Sequence, residues 1–249
     1  MSTRPHERVN KTGTWPVLII ALIFPGVMAW LDYAAVVSPE SGPNRLMQTL
    51  YVFGKLFQFG LPIVFVTLTS GRFPWPGLPN ARGLLLGLAF GGLVAFGTIG
   101  LYFVFLRDTS VFQESPDRIK HKLSEFGMNS PAGFALFAVV ISVPHSLLEE
   151  YYWRWFVFGR LREFVPWRWA LVLSSLAFMG HHVVVLHVYL PGRFLAEVVP
   201  FSLAIAVGGG VWAWLYERTG TLYPSWLSHA LVDAAIFVIG WDLARQAGG

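Results

Sequence analysis

The residues of this chain best suited to chemistry fall in three short clusters, each inside an otherwise apolar run. They read His145-Ser-Leu-Leu-Glu149-Glu150-Tyr-Tyr-Trp-Arg154, then Phe178-Met-Gly-His181-His182, then His229-Ala-Leu-Val-Asp233. Neighbouring residues on a helix point about 100° apart, so Glu149 and Glu150 cannot serve one purpose. Arg154 follows Glu150 by one turn in the favourable acid-before-base order, which assigns these two to a mutual ion pair. Glu149 keeps only His145, one turn earlier, as a helical partner. A carboxylate so placed in a low dielectric suits proton transfer near neutral pH. His181 and His182 diverge in the same way, so one is expected to face the site while the other packs or hydrogen-bonds. His229 and Asp233 share one helix face and can jointly hold a metal or a water. The plainer reading is a set of ion-pair anchors near an interface. Against it stands the cost of an ionised group at mid-bilayer, about 2.5–3.5 kcal/mol on insertion scales, which demands a partner or a wet cavity.

The elements that must position these groups are membrane helices. The chain has 249 residues, 55% of them hydrophobic and 13% charged, and its mean hydropathy is +0.55. Soluble domains carry about 25% charged residues, so the depletion is by about half. Apolar runs reach the ~20 residues a span requires and lack the alternation of barrel strands. The predicted fold class is therefore all-α, a polytopic transmembrane bundle of about seven to eight spans. Expected spans are Trp15–Val37, Met47–Thr69, Gly83–Leu106, Pro131–Phe158, Trp169–Leu190, Leu195–Tyr216 and Leu222–Ile239. Residues 1–14 form a polar N-terminal tail, 15–130 the first membrane helices, and 131–241 the segment that carries the chemistry.

With the N-terminus inside, its side receives Arg4, Arg8, Lys11, Arg72, Arg82, Arg160, Arg162, Arg168 and Arg218. The other side receives Arg45, Arg193 and Arg245 outside the long connection after the third span, so a cytoplasmic N-terminus is expected. In that frame Glu149, His182, His229 and Asp233 lie within about 8 Å of one another in depth, at 1.5 Å per residue. Cysteine is absent, so any metal would rest on histidines and carboxylates. The net charge of +4 sits mostly at span ends, which points to anionic headgroups and away from nucleic acid.

The connection Arg107–Ser130 holds its own signals. Ser115-Pro116 reads as a helix start and Gly127 as its end. Ile119, Leu123 and Phe126 share one face, so a short amphipathic helix near 115–127 is expected to lie on the bilayer. Gly83, Gly87, Gly91 and Ala95 recur every four residues, a spacing that lets helix backbones approach closely. Pro25, Pro62, Pro144 and Pro200 should kink their spans, and Gly208-Gly-Gly210 reads as a hinge or a tight packing point.

Glu149-Glu150-x-x-x-Arg154, Phe178-x-x-x-His182 and His229-x-x-x-Asp233, in that order on successive helices, resemble the three motifs of the CPBP family. That family comprises CAAX-processing endoproteases of the Rce1 type and bacteriocin-immunity (Abi) proteins. The resemblance implies an intramembrane endopeptidase; a prokaryotic inner or cell membrane and a membrane-anchored protein or peptide substrate are expected. By matched position, Glu149 and His182 would activate water, and His229 with residue 233 would stabilise the oxyanion. Glu150, Arg154 and Phe178 would be structural. Prenyl-protein members usually carry Asn in the last position, whereas Asp233 when ionised only accepts hydrogen bonds. It must then be protonated, orient His229, or ligate a metal. Glu149, His182, His229 and Asp233 would make an N₂O₂ zinc site; the alternative is a metal-free water activated by glutamate.

Other intramembrane protease signatures are missing: there is no HExxH, no Gly-x-Ser-Gly and no Gly-x-Gly-Asp. A proton- or cation-coupled transporter could use the same buried groups, but no internal repeat supports it and the span count is odd. A non-catalytic immunity or scaffold protein would keep the motifs for packing.

Overall fold

A computed structural model describes residues 11–36, 45–70, 77–113, 115–125, 127–128, 130–192 and 194–246. The expected tail up to residue 10, Val37 at the expected end of the first span, Arg72, Phe126 and Arg193 lie outside the described residues. The helices are α1 (Lys11–Val36), α2 (Arg45–Ser70), α3 (Ala81–Leu106) and α4 (Ser115–Glu125), followed by α5 (Pro131–Leu161), α6 (Trp167–Tyr189), α7 (Phe194–Thr219) and α8 (Tyr223–Gln246). All but α4 are long and apolar enough to cross a membrane, which makes seven spans among the described residues, and no strand occurs among them. Side chains such as Leu68, Phe96 and Leu195 are about 80% exposed, an arrangement that suits hydrocarbon and not water. The last helix runs to Gln246, past the Ile239 expected from hydropathy. Asp242 lies in this added stretch, and its charge is neutralised there. Arg107 grips its carboxylate with two hydrogen bonds of 2.8 and 3.0 Å, and Tyr102 donates a third at 2.8 Å.

The glycine stripe of α3 faces α8. A Cβ built on Gly87 would lie 2.3 Å from the Pro224 carbonyl oxygen, and one on Gly91 would lie 2.7 Å from Ser228 Cα. Only glycine permits that approach, and the approach seats the turn of α8 that bears His229. In α7, Gly209 packs in the same way beneath Phe178 and the Arg154 guanidinium, at 3.3 and 3.5 Å from a built Cβ. The Gly208–Gly210 run is thus a packing point.

Helix α5 is not a uniform α-helix. Two π-helical segments, Ile141–His145 and Tyr151–Phe158, bracket the α-helical turn Ser146–Glu150. Such π segments recur at functional sites because they rotate the side chains that follow them. Pro144 sits inside the first. Below the acids, Tyr152, Trp153, Phe156 and Phe158 are fully buried, and Tyr152 donates to the Ala21 carbonyl at 2.7 Å, tying α5 to α1.

The amphipathic helix α4 is present over Ser115–Glu125, with Gly127 in the left-handed region (φ 66°) closing it. Ser115 differs from the expected role: its hydroxyl donates to the Tyr189 carbonyl at 2.7 Å, anchoring α4 to the end of α6.

Candidate active site

Glu149 and Glu150 are both buried and point to different neighbours, as their 100° separation requires. The Glu150 carboxylate lies 3.3 Å from Arg154 Nε on one side and accepts from His229 Nδ1 at 2.9 Å on the other. Arg154, 2% exposed, also rests against aromatic faces, 4.6 Å from the Phe178 ring centroid and 5.2 Å from that of Trp212. Cation–π contact of this kind is strongest where water is excluded. Glu150 therefore links α5 to α8, a tertiary contact that spacing along one helix does not reveal.

Glu149 is surrounded by imidazoles. His145 Nε2 stands 3.5 Å from its Oε1 and His181 Nε2 3.6 Å, while His229 Nε2 stands 3.8 Å from its Oε2. These separations exceed a hydrogen-bond length of ~2.7–3.2 Å, so the groups are neighbours able to close on a shared ligand. Asp233 completes the α8 face, with Oδ1 3.6 Å from His229 Nε2.

His182 has its tautomer fixed by its own helix. Its Nδ1 lies 3.0 Å from the Phe178 carbonyl oxygen. A carbonyl only accepts, so Nδ1 carries the proton and Nε2 of the neutral ring carries a lone pair. His181, the neighbouring residue, stacks on Trp153 with planes 5° apart. His229 is set by two aromatic neighbours: it stacks on Trp212 at 4.1 Å and 16°, and Phe178 meets it edge-on at 5.9 Å.

The structure thus brings Glu149, His182, His229 and Asp233 into one neighbourhood, with Glu150, Arg154 and Phe178 as its frame. Besides His145, two groups join that the motif positions do not mark. His181, adjacent to His182, is as near Glu149 as any imidazole but one, and Trp212 comes from α7, a span outside the three motif clusters. His187, by contrast, lies away from the site against Phe194.

As a metal centre, the best-gathered donors are Glu149, His181 and His182, whose ligand atoms lie within 4.8 Å of one another. A tetrahedral zinc with ~2.0–2.1 Å bonds needs donors roughly 3.4 Å apart, so a small closure suffices. One carboxylate and two imidazoles with a fourth position open is a known catalytic zinc donor set, and the His182 bond to Phe178 is the outer hydrogen bond such ligands need. His229 and Asp233, expected in the zinc set, are not part of this group; His229 Nε2 stands beside it, 3.8 Å from Glu149 and 3.6 Å from Asp233.

An apolar cavity of about 420 Å³ opens between α1 and α6. Leu22, Gly26 and Trp30 form one wall, Ala177 and Gly180 the other, and His181 lies at its inner edge.

Residues 131–235 fit the family model described as Type II CAAX prenyl endopeptidase Rce1-like. No curated protein and no solved structure matches the chain.

Proposed function

On the premise that residues 131–235 carry the Rce1-like signature, which supports membership of the CPBP family, we propose that this integral membrane protein is an intramembrane endopeptidase whose attacking water is activated by Glu149. The observation that carries the reading is the buried Glu149 carboxylate with three imidazoles at 3.5–3.8 Å, formed by helices α5, α6 and α8. Glu149 takes a proton from water as the oxygen attacks the peptide carbonyl carbon, with His182 Nε2 accepting from the same water. His229, holding one proton through Glu150 and a second at Nε2 beside Asp233, donates to the oxyanion. As the C–N bond breaks, Glu149 returns its proton to the leaving amine, and the two product termini leave. A zinc ion held by Glu149, His181 and His182 would, when bound, polarise water and carbonyl.

The substrate we infer is a membrane-associated protein or peptide, or a C-terminal tail, in keeping with a site buried among helices long and apolar enough to cross a membrane. The distribution of Lys and Arg favours a cytoplasmic N-terminus. The reading is tested with reconstituted protein and a tail-anchored reporter peptide. Glu149→Gln and His229→Ala should each abolish cleavage while the protein still inserts and unfolds cooperatively. Full turnover by Glu149→Gln would remove the hydrolase, and ion flux lost in the same variant would mark a transporter instead.

A further inference from the structure

One tryptophan of α8 takes no part in the motifs yet joins the two helices that carry Glu149 and His229. Trp226 lies three residues before His229, and its indole Nε1–H donates to the Val143 carbonyl of α5 at 2.9 Å. A tryptophan at the start of a span ordinarily anchors at the interface. Here its N–H is committed to the backbone of a neighbouring helix. Val143 lies six residues before Glu149, inside the π segment Ile141–His145. That segment is also held from within: the Ser146 hydroxyl lies 2.6 Å from the Ser142 carbonyl oxygen and 3.1 Å from that of Val143. Tyr223, one turn earlier on α8, meets the Trp226 ring edge-on at 6.3 Å.

Helices α5 and α8 run antiparallel: the Phe134 ring meets Trp241 at 5.1 Å, and Phe137 meets Phe237 at 5.7 Å. Contacts that climb α5 should therefore descend α8. Two hydrogen bonds that join these helices beside the site do the reverse. Val143 takes Trp226, whereas Glu150, seven residues further along α5, takes His229, three residues further along α8. The two bonds thus cross like braces. Sliding α8 toward the Leu161 end of α5 stretches the first, and sliding it the other way stretches the second. We infer that Trp226 is a positioning residue for the reaction. With the Glu150–His229 bond it locks the gap between Glu149 and His229 Nε2, 3.8 Å wide, where water and the peptide carbonyl must meet. The effect on catalysis rests on the endopeptidase reading, while the brace itself does not.

The chain holds no cysteine, so spin labels can be placed through Leu148→Cys on α5 and Val238→Cys on α8, both at exposed positions. The distance between the labels is measured by pulsed electron resonance on the full-length protein in nanodiscs, and reporter cleavage is read on unlabelled protein. Trp226→Phe removes the N–H. Benzothienylalanine at position 226 removes it with the ring shape kept, and decides if Trp226→Phe fails to fold. With the first brace gone, α8 is free to move toward the Leu161 end, which carries Val238 toward Leu148. Both variants should therefore add a population at shorter distance, and both should lower kcat by about tenfold with KM nearly unchanged. Wild-type distances in both variants, or shortened distances with an undiminished kcat, would overturn the assignment. If the wild type itself cleaves nothing, the endopeptidase reading fails, and the distances alone decide whether the brace stands.

Discussion

The indole of Trp212 lies against the imidazole of His229, centroids 4.1 Å apart and planes 16° apart, and its Nε1–H donates to Ser228 at 2.9 Å. Trp212 also forms one face of the Arg154 site. It therefore positions the proposed oxyanion donor without approaching the substrate. Trp212→Ala should lower kcat by about 10²-fold with little change in KM, as expected for a group displaced by ~1 Å. Trp212→Phe keeps an aromatic face and should restore most of the rate. Equal losses in the two variants, measured on folded protein, would shift the requirement to the Ser228 hydrogen bond.

Stability and catalysis should separate at the two adjacent acids. Glu150 lies between Arg154 and the His229 ring, and breaking a buried pair by removing one partner costs about 3–5 kcal/mol. Arg154→Ala should lower the thermal midpoint of the detergent-solubilised protein by many degrees. Glu149→Gln, which preserves shape and removes the negative charge, should leave the midpoint near wild type while cleavage is lost. An unchanged midpoint for Arg154→Ala would show that the pair adds nothing to stability.

The α3 stripe allows a comparison within one helix. Gly87→Ala places a methyl against the Pro224 carbonyl oxygen, at a built distance of 2.3 Å, so α8 must move. Overpacking of this kind costs about 1–3 kcal/mol. Gly92 points elsewhere, with nothing within 4 Å of a built Cβ. There the helix propensity of alanine should make Gly92→Ala neutral or mildly stabilising, by up to ~1 kcal/mol. Thermal unfolding of the two variants side by side checks the sign. Equal behaviour would mean that α3 and α8 do not rely on that contact.

Much of this arrangement is legible in the sequence because hydrocarbon penalises charge. Glu149, Arg154, His182, His229 and Asp233 stand out against apolar runs, and the same runs give the seven spans. Tertiary pairing is another matter. Nothing in the spacing of Glu150 reveals that it bonds His229, and an Arg154 one turn away supplies a sufficient local partner. Trp212 is invisible for a different reason: tryptophan in a span reads as packing or as an interface anchor. The π segments around Ser146–Glu150 leave no residue signature beyond Pro144, and they help to decide where each acid points. The adjacent His181 and His182 predict one ligand and one packed ring, whereas the structure gathers both near Glu149.

That last difference decides which residues should govern metal binding. The sequence expects Glu149, His182, His229 and Asp233, and His229 Nε2 does stand 3.8 Å from Glu149 and 3.6 Å from Asp233. The more tightly gathered donors are Glu149, His181 and His182, within 4.8 Å of one another. Zinc supplied to purified, chelator-stripped protein should therefore bind with lower affinity in His181→Ala and His182→Ala. Removing one of three ligands from a zinc site should weaken it by at least the 10–100-fold that outer-shell changes produce. Asp233→Asn should leave zinc affinity unchanged and act on turnover alone, through the proton at His229. Elemental analysis after dialysis reads the first outcome and reporter cleavage the second. Zinc lost in Asp233→Asn but kept in His181→Ala would move the ligand set back to α8. No zinc uptake by any form would leave water activation to Glu149 and His182 unaided.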